Sequence, residues 1–339
     1  MRIARIIPFT QACFLLLFLF AVASACRSKV KPPEHDIVKT EEAWEVRTSR
    51  NLQDNLAYAL DNKGNLDDTF HLEYIKVANA VYKDNNYQLI WSIRGEPSRI
   101  ADNLYTFVSN AKLYGLFPSD YAFGRLRHFR ELMEKDSIAK KDAALWARHD
   151  LVLTNSFFSL VKDLKHGRLP YDSTTLRRDS LITDSFYLAQ LNAVISLRQV
   201  NQVLEDLEPN HTGYDSIKAY LPRFLDSADF RPYTRLVYPY KDSIAFYGLL
   251  QQRLHEIGVL DSLKASPDTA TIAPAVRKYQ KARNLKVTGK PNESLVYSLN
   301  MTDYERFRSI AVNMDRYKHL PDTMPNTYVW VNIPSYLMT

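Results

Sequence analysis

Leu151, Leu153, Phe157, Phe158, Leu160, Val161 and Leu164 set apolar side chains around most of a helical circumference. A helix with so broad an apolar surface has to be enclosed by other elements, so this segment predicts the middle of a helical core. Its partners are written in the same period. Tyr74, Val77, Ala78, Val81 and Tyr82 follow the i, i+3, i+4, i+7 spacing of one buried face. Residues 97–110 and 118–134 fit two more helices, and 184–204 a further striped one that ends before Pro209. Nine Gly and sixteen Pro in 339 residues are too few turn-formers for a turn-heavy β protein. The predicted fold class is mainly α from about residue 41 to residue 258. No 34-residue self-similarity is present, which disfavours a tetratricopeptide array.

The length predicts two domains plus a leader. A hydrophobic fraction of 46% against 24% charged is that of an ordinary globular chain able to bury a sizeable core. Residues 1–25 read as an export signal: Arg2 and Arg5 form a positive start, Cys13 to Val22 an apolar run, and Ala23-Ser24-Ala25 a small-residue cleavage site. The apolar run is shorter than the ~20 residues of a spanning helix. Cys26 follows directly and resembles the acylated first residue of a bacterial lipoprotein, with Ala23 where leucine is commoner. The alternative is ordinary cleavage that leaves an idle thiol. Three acyl chains on Cys26 would anchor firmly, where one would not. Residues 26–45, opening on a charged, proline-rich stretch, read as a tether. The expected location is therefore the periplasm, on a membrane-anchored lipoprotein. Two of the six net positive charges belong to the leader. The remainder suits an anionic polymer such as cell wall and is too diffuse for nucleic acid, so no nucleic-acid partner is expected.

Three short stretches read as signatures rather than as periodicity. They are Asp84-Asn85-Asn86-Tyr87-Gln88-Leu89-Ile90-Trp91, Asp163-Leu164-Lys165-His166-Gly167-Arg168-Leu169-Pro170, and Glu208-Pro209-Asn210-His211-Thr212-Gly213-Tyr214. Together they resemble the scaffold domain of large Gram-negative L,D-transpeptidases, here spanning residues 46–235. Residues 236–300 resemble that family's small three-helix peptidoglycan-binding module. The likeness rests on Leu250 to Gly258, on Ala275 to Gly289 with its Tyr279-Gln280 pair, and on Asn292 to Leu299. The resemblance implies peptidoglycan as partner and Arg277, Tyr279, Gln280, Lys281 and Arg283 as the contact residues.

The residues themselves allow a plainer reading of that module. Val276, Tyr279 and Leu285 share one side of a helical wheel and suit core packing. Gly289 suits a turn needing positive φ, and Pro291 sits near a helix start, where its missing N–H costs little. Arg277, Lys278, Lys281 and Arg283 form a basic face that either meets stem-peptide carboxylates or is simply solvated.

Residues 301–339 resemble a helix and the first strand of the family's catalytic domain. Tyr328, Val329, Trp330, Val331, Asn332 and Ile333 alternate as a strand does, and this C-terminal strand is expected to be an orphan without sheet partners. The family's chemistry needs a thiolate, a histidine base and oxyanion donors. Neither Cys13 nor Cys26 lies in such a motif, so no catalytic residue is assigned. One alternative is an amino-terminal fragment of an active enzyme that forms 3–3 crosslinks. The other is a helical interaction protein that has lost its ligand. The histidines are scattered without metal-ligand spacing, and no phosphate loop, nucleophile elbow or dinucleotide fingerprint occurs, so neither metal nor cofactor is expected. The 38 acidic residues could always supply a carboxylate pair for glycoside hydrolysis, but without a pocket that reading has little weight.

Overall fold

The computed structural model describes residues 31–170, 182–265 and 269–321, together with 327, 331–332 and 337–338. The expected leader (residues 1–25), Cys26 and the remaining residues of the C-terminal stretch lie outside the described residues. The chain is mainly helical, with twelve α-helices and three short β-hairpins among the described residues. It divides into two compact units. The first takes residues up to 109, 118–164 and 180–207; the second takes 110–117, 165–179 and 208–339. The sequence placed its division at residue 235.

The first unit is built around α5 (Ala143–Lys165), which buries sixteen of its 23 residues, as the all-round apolar pattern requires. Around it stand α1 (Glu41–Asp61), α2 (Ile75–Asp84), α3 (Arg99–Ser109), α4 (Phe123–Lys135), α6 (Asp184–Leu197) and α7 (Val200–Glu205). Thr40 caps α1 by accepting from the Ala43 N–H. Hairpin β1–β2 (Asn65–Asp67, Phe70–His71) and hairpin β3–β4 (Ser92–Ile93, Glu96–Pro97) fill the connections. The second turns on Arg94 and Gly95, both at positive φ, the requirement of a two-residue hairpin loop.

Three sequence expectations are revised in this unit. The single helix expected over 184–204 is two, because Arg198 turns left-handed at φ 56 and ends α6. The break lets Val200, Val203 and Leu204 bury in α7, which packs on α3. Residues 118–134 begin as a 3-10 turn, and left-handed Ala122 precedes α4. The tether expected through residue 45 is already docked by residue 36. The Asp36 N–H donates to Asp142 Oδ1, Ala143 N–H to the Asp36 carbonyl and Val38 N–H to the Lys141 carbonyl. Buried Asp36 then accepts from Arg47 and Asn51.

The second unit holds α8 (Thr212–Ser227), α9 (Ser243–Glu256), α10 (Thr269–Ala282), α11 (Glu293–Asn300) and α12 (Asp303–Tyr317). Helices α9, α10 and α11 share a core of Phe246, Leu250, Leu254, Ile272, Val276, Tyr279, Leu295 and Leu299. Helix α12 packs on α8 through Phe307, Met314, Tyr214, Leu221 and Phe224. The C-terminal strand is not an orphan. β5 (Val331–Asn332) pairs antiparallel with β6 (Leu337–Met338). The sequence reading sought a partner outside the stretch, yet the four residues between the paired segments are a common hairpin length.

Candidate functional site

Helix α10 and the turn after it contain all five contact residues suggested by the sequence, and the structure sorts them into two kinds. Tyr279 and Gln280 face inward. Tyr279 is 5% exposed, and its hydroxyl bonds Ser298 at 2.9 Å. Gln280 is fully buried, and its amide is consumed by the following turn. Its Oε1 accepts the Thr288 and Gly289 N–H groups, both at 2.9 Å, while Nε2 donates to Thr288 Oγ1 and the Lys290 carbonyl. A buried primary amide has two donors and one carbonyl to satisfy, and this turn uses both ends. These two residues therefore build the module and leave little to offer a ligand.

Arg277, Lys281 and Arg283 face outward with Lys278, all exposed. Among the described residues none of the four makes an ion pair. Arg277 lies over Gly289, where a Cβ would come within 2.8 Å of its guanidinium. The φ of +72 is what requires glycine at 289, since the Arg277 guanidinium is the end of an exposed, flexible side chain. The spacing of Arg277, Lys278 and Lys281 along α10 gives a cationic ridge, continued by Arg283, whose guanidinium carbon stands 5.7 Å from the Tyr279 ring centre. Asn292 caps α11 by accepting from the Leu295 N–H at 2.8 Å, with Pro291 just outside the helix.

The sequence reading passed over a second feature, because it lies in a segment with no periodicity. Residues 228–237 carry no helix or strand, yet their backbone is pinned repeatedly. Asp229 N–H donates to Asp303, Thr234 N–H to Glu256, and Leu236 N–H to Asn300 Oδ1, whose Nδ2 returns a bond to the Leu236 carbonyl. Buried Arg253 donates to the Leu299 carbonyl and holds its guanidinium 4.1 Å from the Tyr233 ring centre. Burial alone would raise the Glu256 pKa, but the Thr234 hydroxyl and N–H hold it below the usual range. Two adjoining clefts of ≈ 370 and ≈ 390 Å³ share Arg235, Asn300 and Glu305. The only signal in the sequence is the density of tyrosine in Pro232-Tyr233 and Tyr238-Pro239-Tyr240.

Two of the three signatures are clamped loops, and the third caps a helix. In the first unit Asp150, fully buried on α5, accepts the Ile90 and Trp91 N–H groups at 3.0 and 2.9 Å and the Tyr82 hydroxyl at 2.6 Å. Trp91 Nε1 and the Tyr82 hydroxyl both meet Thr154. Burial pushes the Asp150 carboxyl up to about 6 against the lowering effect of those donors. In the second unit Asp315 accepts the Arg168 and Leu169 N–H groups, both at 2.7 Å, just after Gly167 at φ +80. His211 caps α8 by accepting from the Gly213 N–H. A Cβ on Gly213 would fall 2.2 Å from the Tyr317 hydroxyl, so nothing larger fits there without a shift.

Residues 76–221 match the family model described as Scaffold domain, the scaffold domain found in L,D-transpeptidases. No curated protein matches the chain.

Proposed function

We propose that this protein is a peptidoglycan-associated envelope lipoprotein, the scaffold and wall-binding part of an L,D-transpeptidase-like protein. One observation carries the reading: the Scaffold-domain match over 76–221 is followed in the chain by a three-helix module with its own core and a cationic ridge that forms no ion pair among the described residues. Lys278, Lys281 and Arg283 can meet the carboxylates of wall stem peptides, whereas Gln280 holds the turn after α10 and Tyr279 ties α10 to Ser298 on α11. In this reading the protein sits in the periplasm, held to the membrane through Cys26.

Full-length protein is expected to co-sediment with purified sacculi. Lys281→Ala with Arg283→Ala should lower the bound fraction several-fold at low ionic strength. Raising salt to 0.15 M and above should weaken the unmodified protein in the same way, because exposed charges are screened beyond about 8 Å there. Failure of the unmodified protein to sediment would remove the wall-binding function. Equal sedimentation of the double variant would remove the cationic ridge from it.

The anchor has its own test. Cys26→Ser is expected to move the protein from the membrane fraction to the soluble periplasm, because the acyl chains supply the hydrophobic attachment. Undiminished membrane association of that variant would rule the anchor out.

A further inference from the structure

The clefts along residues 230–238 differ in chemistry from the cationic ridge on α10. Their arginines are already answered. Arg231 closes on Asp229 through paired bonds of 2.7 to 3.1 Å, an interaction that holds the Asp229 carboxyl well below the usual range. Arg235 stands 3.5 Å from Glu305. An anionic peptide would have to displace one of these carboxylates, so the clefts offer a polyanion little gain.

What they present instead is aromatic surface. Tyr238, Tyr297 and Tyr304 are 41%, 66% and 46% exposed, unusual for rings of this size grouped around two clefts. Their hydroxyls and the flanking arginine and carboxylate groups can exchange hydrogen bonds with a neutral polyhydroxylated ligand. Their ring faces are electron-rich, and a pyranose turns a sheet of weakly positive C–H groups toward such a face. Two of the three rings are held before any ligand arrives. Tyr304 packs against Phe117 at 5.9 Å, and Tyr238 lies edge-on to Tyr240 at 6.1 Å. The segment between them is pinned by Asp303, Glu256 and Asn300. A surface already ordered gives up less entropy on binding.

We infer that the paired clefts beside Arg235, walled by Tyr238, Tyr297 and Tyr304, bind a saccharide chain. This rests on the wall-binding reading and deepens it. The cationic ridge meets stem peptides, and the tyrosine clefts meet the glycan strand that carries them.

The test uses full-length protein and two probes, intact sacculi and wall glycan strands stripped of peptide by an amidase. The unmodified protein is expected to bind both. Tyr297→Ala with Tyr304→Ala should bind the peptide-free strands about tenfold more weakly or worse, because it removes two aromatic faces from the clefts. Both residues are largely exposed and lie outside the buried core, so the variant should stay folded, with a thermal midpoint lowered only slightly by the lost Tyr304–Phe117 contact. Lys281→Ala with Arg283→Ala should leave peptide-free binding unchanged. Binding to sacculi without binding to peptide-free strands overturns the saccharide site and spares the wall reading. Full glycan binding by the tyrosine variant overturns the assignment to these clefts. Binding to neither probe overturns both readings.

Discussion

Asp150→Ala is expected to destabilise the first unit by roughly 3–5 kcal/mol, among the largest costs of any single change in it. The carboxylate it removes is the acceptor for the Ile90 and Trp91 N–H groups and a partner of the Tyr82 hydroxyl. Tyr82 keeps Thr154, but the buried Trp91 N–H has no water to turn to. An orphaned buried donor costs about 1–3 kcal/mol; the Trp91 N–H meets that fate in full, and the half-buried Ile90 N–H in part. Three of the four tryptophans, Trp44, Trp91 and Trp146, lie in this unit, so tryptophan fluorescence during denaturant unfolding reports mainly on it. A cost below about 1 kcal/mol would show that the 85–91 loop is held by other contacts.

The same carboxyl gives a pH dependence whose sign is fixed. Its folded-state pKa of about 6 lies above the ordinary 3.8, so between those values the native state keeps a proton that the unfolded chain releases. Stability from this group is therefore full below about 4 and falls as pH rises through about 6. Asp150→Asn cannot titrate. The wild-type advantage over it should shrink by ~3 kcal/mol between pH 4 and pH 7, because each tenfold difference in proton affinity between the folded and unfolded chain is worth about 1.4 kcal/mol. A difference that stays constant across that range would mean that Asp150 titrates as an ordinary carboxyl.

Much of the helical fold was legible because burial leaves a period. The pattern at 151–164 needs enclosure on all sides, and α5 has it. Gly289 was legible as a turn because Thr-Gly-Lys-Pro interrupts two helical patterns, and its φ is +72. Where the sequence was silent, the deciding contact lies far along the chain. Nothing in Leu197-Arg198-Gln199 breaks a helix locally. Arg198 goes left-handed because α7 packs on α3, a hundred residues earlier in the chain. Asp150 stands about sixty residues from the loop it holds, so the first signature was visible as wording without a cause. Gln280 is the instructive case. It was picked out as a ligand contact through a resemblance, and its amide is spent eight to ten residues ahead on its own turn. The tyrosine clefts left no period at all, since the segment that lines them is irregular and is held by side chains from three helices.

The second large effect belongs to Asp315 in the second unit. Its Oδ2 holds the Arg168 and Leu169 N–H groups, and its Oδ1 accepts from Lys318 Nζ at 3.2 Å. Lys318 is 1% exposed, so Asp315→Ala strips the carboxylate from a buried ammonium and from two backbone donors in one step. Breaking a buried ion pair from one side costs about 3–5 kcal/mol, and the unanswered N–H groups add to that. Amide exchange at Arg168, Leu169 and along α12 should accelerate by two orders of magnitude or more, as 1.4 kcal/mol is a factor of ten. Two further variants separate the contributions. Asp315→Asn retains an acceptor for the 168–169 turn and loses the ion pair, so its cost measures the charge. Adding Lys318→Met to Asp315→Ala removes the buried ammonium together with its carboxylate and should recover part of the loss, because a buried pair replaced by apolar groups is often neutral. The turn donors would still lack their acceptor, so recovery should stop short of wild type. Complete recovery would show that the two N–H groups find partners elsewhere, and no recovery would place the whole effect in the turn. A cost for Asp315→Ala within experimental error of zero would mean that Asp315 is not what closes the loop after α5.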